Sequence, residues 1–200
     1  MKTSLLKTLK KIIRRTPASL LVTAIVMTMG SVVTLSTDLY AAKFDKAHSQ
    51  AQFKIKYLLV GELDGKFNDY NAKLEVDGKK IGSFEASAVV KSVDTGNKKR
   101  DSHLLENDYF GAKKHPDINL KMVSINGNQM ETDLTIRGIT KRVTFTSEFS
   151  TAKDPRTGKD VAGLVLNGDI NRKDFDVGKK YPNASISETV NIGLSFLFRL

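Results

Sequence analysis

From Phe44 onward apolar residues recur at every second position almost to the end of the chain. A period of two builds strands with one inward face and excludes a helical bundle. Phe53, Ile55, Tyr57 and Leu59 alternate with Gln52, Lys54, Lys56 and Leu58, and Phe84, Ala86, Ala88 and Val90 alternate with Ser83, Glu85 and Ser87. The pattern continues through Ile118, Leu120 and Met122, Leu134 and Ile136, Val143, Phe145 and later Phe149, then Leu164, Leu166 and Ile170. Its longest row is Val190, Ile192, Leu194, Phe196 and Phe198. Turn signals separate the rows: Asp64-Gly65, Asp77-Gly78, Asn126-Gly127, Arg137-Gly138 and Asp154-Pro155-Arg156-Thr157-Gly158. Asp77-Gly78 and Asn126-Gly127 suit tight hairpins, because glycine accepts the positive φ that such turns need. The pattern therefore predicts an all-β chain of about eight antiparallel, hairpin-connected strands. It is interrupted once, between Asn97 and Pro116, where Arg100 to Glu106 has the length for one or two helical turns.

Eight such strands form either an open sandwich or a closed barrel. A barrel of that size is filled by its own side chains or holds one small ligand, as lipocalins do. Ala86, Ala88, Ser92 and Ser147 stand among larger inward residues and leave volume unless phenylalanines from facing strands fill it. Pattern alone leaves cavity and packed core both open. No internal repeat, low-complexity segment or linker divides the chain after residue 42.

The first 42 residues have a different character. A basic segment (Lys2, Lys7, Lys10, Lys11, Arg14, Arg15) precedes an uncharged apolar run, Ala18 to Leu35, and a short polar stretch ending Leu39-Tyr40-Ala41-Ala42. This arrangement predicts a cleavable export signal over residues 1–41, with one domain over 42–200. The competing reading is an uncleaved anchor, for which eighteen residues containing Gly30 are barely long enough. The segment also explains half of the net charge of +10: it holds six basic residues against Asp38, and the remaining chain holds 26 against 21. An excess that mild, spread over a domain, does not support nucleic-acid binding. The absence of cysteine removes thiolate zinc sites, cysteine nucleophiles and thioredoxin-like chemistry.

Little in the sequence demands catalysis. His48, His103 and His115 lack the i, i+4 spacing that pairs ligands on a helix, so no metal site is expected. There is no nucleophile elbow and no phosphate loop. The basic clusters Lys98-Lys99-Arg100, Lys113-Lys114-His115 and Lys179-Lys180 are either solvated loops or, if they share one barrel end, a positive rim for an anionic headgroup.

Six ordered segments carry a resemblance. They are Phe44-Asp-Lys-Ala-His48-Ser49 with Gly65-Lys-Phe67; Val93-Asp-Thr-Gly96 followed by Lys99-Arg-Asp and His103-Leu104; Asp108-Tyr-Phe110; Pro116 and Ile118; Leu134-Thr-Ile-Arg-Gly138 with Thr140-Lys141; and Ile170-Asn-Arg-Lys-Asp-Phe175. Through them residues 44 to 200 resemble the YceI family of lipocalin-like, polyisoprenoid-binding proteins. The resemblance implies an extended eight-stranded antiparallel, lipocalin-like barrel whose apolar cavity takes a long isoprenoid chain, such as a polyprenyl phosphate or pyrophosphate or a quinone tail. It implies non-catalytic binding, storage or transport in the periplasm, with no cofactor beyond that lipid.

The expected lining is Phe53, Ile55, Phe67, Phe84, Ala86, Ala88, Leu120, Met122, Leu134, Ile136, Phe145, Leu166, Ile192 and Leu194. Arg100, His103, Arg137 and Arg172 are expected either to meet a headgroup or to brace the insert. Asp94-Thr95-Gly96 is expected to turn the chain, and Asp101 to cap the short helix. Two positions depart from the family pattern: Tyr57 stands where many members have histidine, and Phe110-Gly111 replaces an aromatic-acid pair, a change expected to loosen the insert. The alternatives are binding of fatty acids or other amphiphiles, a quinone-presenting accessory to a membrane cytochrome, and an enzyme using His103 with Asp101. Expected partners are the lipid, transiently a membrane surface, and not nucleic acid; a homodimer is compatible with the chain.

Overall fold

A computed structural model describes residues 39–200, with side chains from Ala41 onward. Residues 1–38, which include all but the last three residues of the expected signal, lie outside the described residues. The alternating rows form ten strands: β1 (Leu39–Tyr57), β2 (Gly61–Phe67), β3 (Tyr70–Asp77), β4 (Lys80–Val89), β5 (Val93–Asp94), β6 (Asp117–Asn126), β7 (Gln129–Ile136), β8 (Ile139–Lys153), β9 (Asp160–Asn171) and β10 (Ile186–Arg199). One α-helix, α1 (Lys98–Leu104), lies between β5 and β6, and the 3-10 turns Val90–Ser92 and Arg172–Phe175 follow β4 and β9.

All pairings are antiparallel, and ten strands make eight staves. Against one edge of β1, β2 pairs with Gln52–Tyr57 and β3 with Leu39–Ala42, so β2 and β3 run end to end as one stave broken at Asn68-Asp69. β4 and β5 likewise run end to end, β4 on β3 and β5 on β2, interrupted by the Val90–Ser92 turn. The order then follows the sequence from β4 through β6 to β10. β10 closes the ring on β1, from Lys43↔Arg199 to Tyr57↔Ile186. The result is an eight-stranded closed barrel, in which β1 residues 43–51 make no ladder pairing with the β2–β3 stave.

The hairpin order sends the loops to two ends. The base carries the turns after β3, β6 and β8, together with Leu200, whose amide donates to Asp160 O at 3.0 Å. The mouth carries loops 58–60, 95–116, 137–138 and 172–185. The basic clusters of the helical insert and of the Lys179-Lys180 loop therefore share one end.

The insert begins where Asp94 Oδ1 accepts from Gly96 N at 2.9 Å, turning the chain out of β5. The helix spans Lys98–Leu104 and is capped by Asn97, whose Oδ1 accepts from Lys99 N and Arg100 N, each at 3.1 Å. Asp101 is not the cap: inside the first turn, its Oδ1 takes Thr95 N at 2.9 Å and Thr95 Oγ1 at 2.6 Å.

The core fills the base half. Leu74, Phe84, Met130, Phe145, Leu164, Leu166 and Phe198 are each at most 1% exposed. Phe196 and Phe44 meet at 5.8 Å between ring centroids, and Phe84 and Phe196 at 5.8 Å, so aromatic contacts tie β1, β4 and β10 across the barrel. Phe145 lies over Gly168 of β9, where a Cβ would stand 2.7 Å from the ring; only glycine admits that approach.

Candidate functional site: an apolar cavity with a polar mouth

The mouth half of the barrel is hollow. A cavity of about 940 Å³, near the upper end of the usual ligand-pocket range, extends inward from the loops. Among the expected lining residues, Phe53, Ile55, Phe67, Ala86, Ala88, Leu120, Leu134, Ile136, Ile192 and Leu194 face it. Four expected positions do not. Phe84, Phe145 and Leu166 are buried in the packed base half, and Met122 is half-buried against that core, beyond the cavity floor. The reason is depth: alternation identifies the inward face but treats every inward position alike, whether near the mouth or near the base.

Other lining residues left a weaker trace or none. Phe196 belongs to the last alternating row and forms the floor. Ala51 and Leu63 extend the walls of β1 and β2. Tyr109, Phe110, Phe175, Val177 and Tyr181 come from the insert and from the loop after β9, where no period marks them as inward. From Ala51 to Tyr57 the β1 wall is about 20 Å long at 3.3 Å per residue. Strand tilt in a barrel reduces that to about 15 Å along the axis.

Polar groups gather at the mouth. Arg172 is 3% exposed, and its guanidinium is satisfied by carbonyls: Nε donates to Ser187 O at 2.9 Å, Nη1 to Val177 O at 2.9 Å and Gly178 O at 2.5 Å, Nη2 to Tyr181 O at 3.2 Å and Ile186 O at 3.0 Å. Burial lowers its pKa from the ordinary arginine value, opposed by the nearby Tyr109 and Glu188. With all three nitrogens engaged, Arg172 holds the 176–186 loop against the start of β10. Arg137, at φ 54° in the turn after β7, donates through Nη1 to Asn107 O at 2.6 Å and to Tyr109 O, binding the insert to the barrel. Arg172 lines the cavity but its donors are already taken by these carbonyls, and Arg137 is not among the lining residues. Gly111 does not loosen the insert as expected: its φ of 61° and the Arg137 Nη1 atom 3.3 Å from a would-be Cβ make glycine the residue that fits.

Arg100 and His103 do line the cavity entrance. Arg100 donates through Nε to Thr95 Oγ1 and through Nη2 to Thr95 O, each at 2.7 Å. His103 packs edge-on against Tyr109 at 4.8 Å, and Tyr109 stacks on Tyr181 at 5.0 Å. The Tyr181 hydroxyl donates to Asp108 Oδ2 at 2.9 Å and lies 3.3 Å from His103 Nε2. That bond to Tyr181 holds the Asp108 carboxyl below its ordinary value, and the carboxylate in turn raises Tyr181. Burial first, then Tyr181 and Asp108, push Tyr109 up to about 12. His103, Glu106 and Asp108 place one ligand atom each within 4.8 Å of one another, but the set is largely solvent-exposed and Asp108 is already committed to Tyr181. Ser102 donates to Lys98 O at 2.9 Å within the helix rather than to His103.

The opening motif serves the barrel, not the cavity. Between Asp45 and Gln50 β1 bulges away from β10. Ser49 Oγ donates to Asp45 O at 2.7 Å and accepts from Leu197 N at 3.0 Å, Asp45 pairs with Arg199 at 2.7 Å and His48 at 3.1 Å, and the Tyr70 hydroxyl reaches Ser49 O.

Fold and site together define a class: a closed antiparallel barrel packed in one half and hollow in the other, with an apolar cavity opening through polar loops. The chain belongs to the YceI family, whose domain, described as YceI-like, matches residues 43–198. A UPF0312 protein from Staphylococcus epidermidis is 39% identical over 137 residues, covering 67% of this chain and 80% of the relative. Among solved structures, a YceI protein from Campylobacter jejuni is 31% identical with a TM-score of 0.66, covering 74% of this chain and 90% of that one. A polyisoprenoid binding domain from Saccharophagus degradans shares the fold at 11% identity and a TM-score of 0.56, covering 80% of this chain and 98% of that one.

Proposed function

We propose that the protein is a non-catalytic carrier or store of a polyisoprenoid lipid, a polyprenyl phosphate or pyrophosphate or a prenylated quinone, held with its tail inward. The observation that carries this reading is the one-ended cavity, whose walls are mostly Phe, Leu, Ile and Ala and whose charged lining residues come only from the insert and the turn after β9 at the mouth. Burial yields about 0.8 kcal/mol per methylene, so roughly ten buried carbons offset a capture cost of about 8 kcal/mol. The shared fold of the polyisoprenoid binding domain from Saccharophagus degradans supports the same ligand class. Arg100, His103 and the Tyr181 hydroxyl are the groups nearest a headgroup. A periplasmic site of action, after loss of residues 1–41, completes the reading; an N-terminus at Ala42 in the mature protein is its check.

The test is mass spectrometry of an organic extract from protein purified without detergent, beside an extract from cells lacking it. A stoichiometric prenyl species supports the proposal, whereas straight-chain acyl lipids bound as well as prenyl chains of equal carbon number would replace the prenyl assignment with a general amphiphile carrier. Ala88→Trp projects an indole into the cavity from β4. It is expected to abolish lipid retention while leaving the circular dichroism spectrum and the melting temperature close to those of the parent protein; undiminished retention would sink the cavity assignment.

A further inference from the structure

Six large apolar side chains are strongly exposed among the described residues, and four of them are consecutive. Tyr57 is 41% exposed, Leu58 55%, Leu59 73% and Val60 93%, whereas Val123 and Leu200 stand alone. The alternating row predicts a strand through Leu59, but β1 ends at Tyr57, and these four form the tip of the β1–β2 hairpin. Leu58 and Leu59 have φ of 50° and 65°, a left-handed backbone that branched apolar residues rarely adopt and that asparagine or glycine adopts more readily. A hairpin tip chosen for folding alone would carry those residues. The strained conformation instead points consecutive apolar side chains at solvent.

The tip stands on the rim of the cavity. Tyr57 lines the cavity, and Leu58 N donates to Ser185 O, another rim residue, at 3.0 Å. The charge distribution singles out the same end. Loops 58–60, 95–116, 137–138 and 172–185 hold ten basic residues against five acidic ones. The rest of residues 43–200 holds sixteen of each. The mouth loops therefore carry the net charge of the domain around an apolar finger, chiefly on exposed lysines, since Arg172 is buried and Lys173 pairs with Glu188 of β10.

We infer that the mouth docks on an anionic lipid bilayer, with Tyr57–Val60 inserted at the headgroup boundary and the lysines of the surrounding loops against acidic headgroups. Docking puts the cavity entrance against the membrane, where a lipid passes between bilayer and barrel without crossing water. The inference rests on the carrier reading for its purpose, but its evidence is the finger and the charge.

The experiment is partition of the purified protein onto vesicles of phosphatidylcholine, with and without phosphatidylglycerol. The parent protein is expected to sediment with the anionic vesicles and to be released by salt. The triple variant Leu58→Asn, Leu59→Gly, Val60→Ser suits the backbone better, so it is expected to melt at or above the parent temperature and yet to bind about tenfold or more weakly. Lys98→Gln with Lys180→Gln is expected to weaken binding to anionic vesicles about fivefold per lysine. Because the chain contains no tryptophan, Leu59→Trp supplies a single indole, whose emission should shift to the blue on anionic vesicles. Ala88→Trp is expected to bind vesicles as the parent does, which separates loss of docking from loss of the cavity ligand. Failure of the parent to bind anionic vesicles, or undiminished binding by the triple variant, would overturn the inference. So would a concentration-dependent dimer that the triple variant abolishes, which would give the finger to a second copy of the chain.

Discussion

Arg172 shows how a single side chain can organise a mouth. It gathers carbonyls from Val177, Gly178, Tyr181, Ile186 and Ser187, and shortening it strands them all. Arg172→Met is therefore expected to cost about 3–5 kcal/mol, read as a lower denaturant midpoint, with new proteolytic sensitivity in the 176–185 loop. Arg172→Lys should recover little, because one ammonium cannot reproduce the planar fork. Titration tests two other residues. Hydrogen bonds from His48 and Arg199 hold Asp45 below the ordinary 3.8, so its contribution is complete above that value and is lost as pH falls through the lowered one. Asp45→Asn should flatten the acid limb of the stability profile. Tyr109 is raised from 10 to about 12, so it favours the folded state below pH 10 and loses that contribution as pH rises from about 10 to 12. Tyrosinate absorbance in Tyr109→Phe, with one late-titrating phenol removed, checks the assignment.

Among the elements, the division of labour lies along each strand rather than between strands. β10 places Val190, Ile192 and Leu194 on the cavity and Phe198 in the packed base, with Phe196 at the boundary. Phe196 closes the floor through contacts with Phe44, Tyr70 and Phe84. Phe196→Ala should cost about 3–5 kcal/mol in unfolding and deepen the cavity, so the retained lipid should shift toward longer chains in a mass spectrum of the extract. The insert is an element whose packing reads poorly from sequence. The helical turns are visible in its composition, but Asn97 rather than Asp101 caps them because Asp101 is drawn back to Thr95. That competition between two side chains for one turn is settled by geometry, not by residue type.

At the scale of the whole molecule, closure of β10 on β1 joins residues far apart in sequence, while the outer faces of the staves balance their charge locally. Lys121 with Glu85, Arg142 with Asp133 and Lys153 with Asp160 pair across neighbouring strands at 3.0, 2.7 and 3.0 Å. Such exposed pairs contribute little stability, so the global free energy resides in the packed base. Native-state hydrogen exchange should show it: amides of β7, β8 and β9 beside Met130, Phe145 and Leu164 are expected to exchange only by global unfolding, and those of 95–116 and 176–185 by local opening. Equal protection at mouth and base would contradict the half-packed architecture.

The period of two, with the hairpin signals, was enough to indicate about eight antiparallel strands and their inward faces, because alternation is a property of each strand taken alone; it left sandwich and barrel open, and the β10–β1 pairing decides for the barrel. It also placed Phe53, Ile55, Ala86, Ala88 and Ile192 on an inner wall that proved to be the cavity. Position along the barrel axis has no such local signature. Phe84 and Ala86 read alike in the alternating row, yet one is packed under Phe196 and the other faces open volume. The mouth is more distant still from anything local: Tyr181 meets His103 across 78 residues, and Arg137 reaches back 30 residues to Asn107. Those contacts, the depth of the floor and the gathering of charge around an apolar finger arise only when closure brings separate loops to one end.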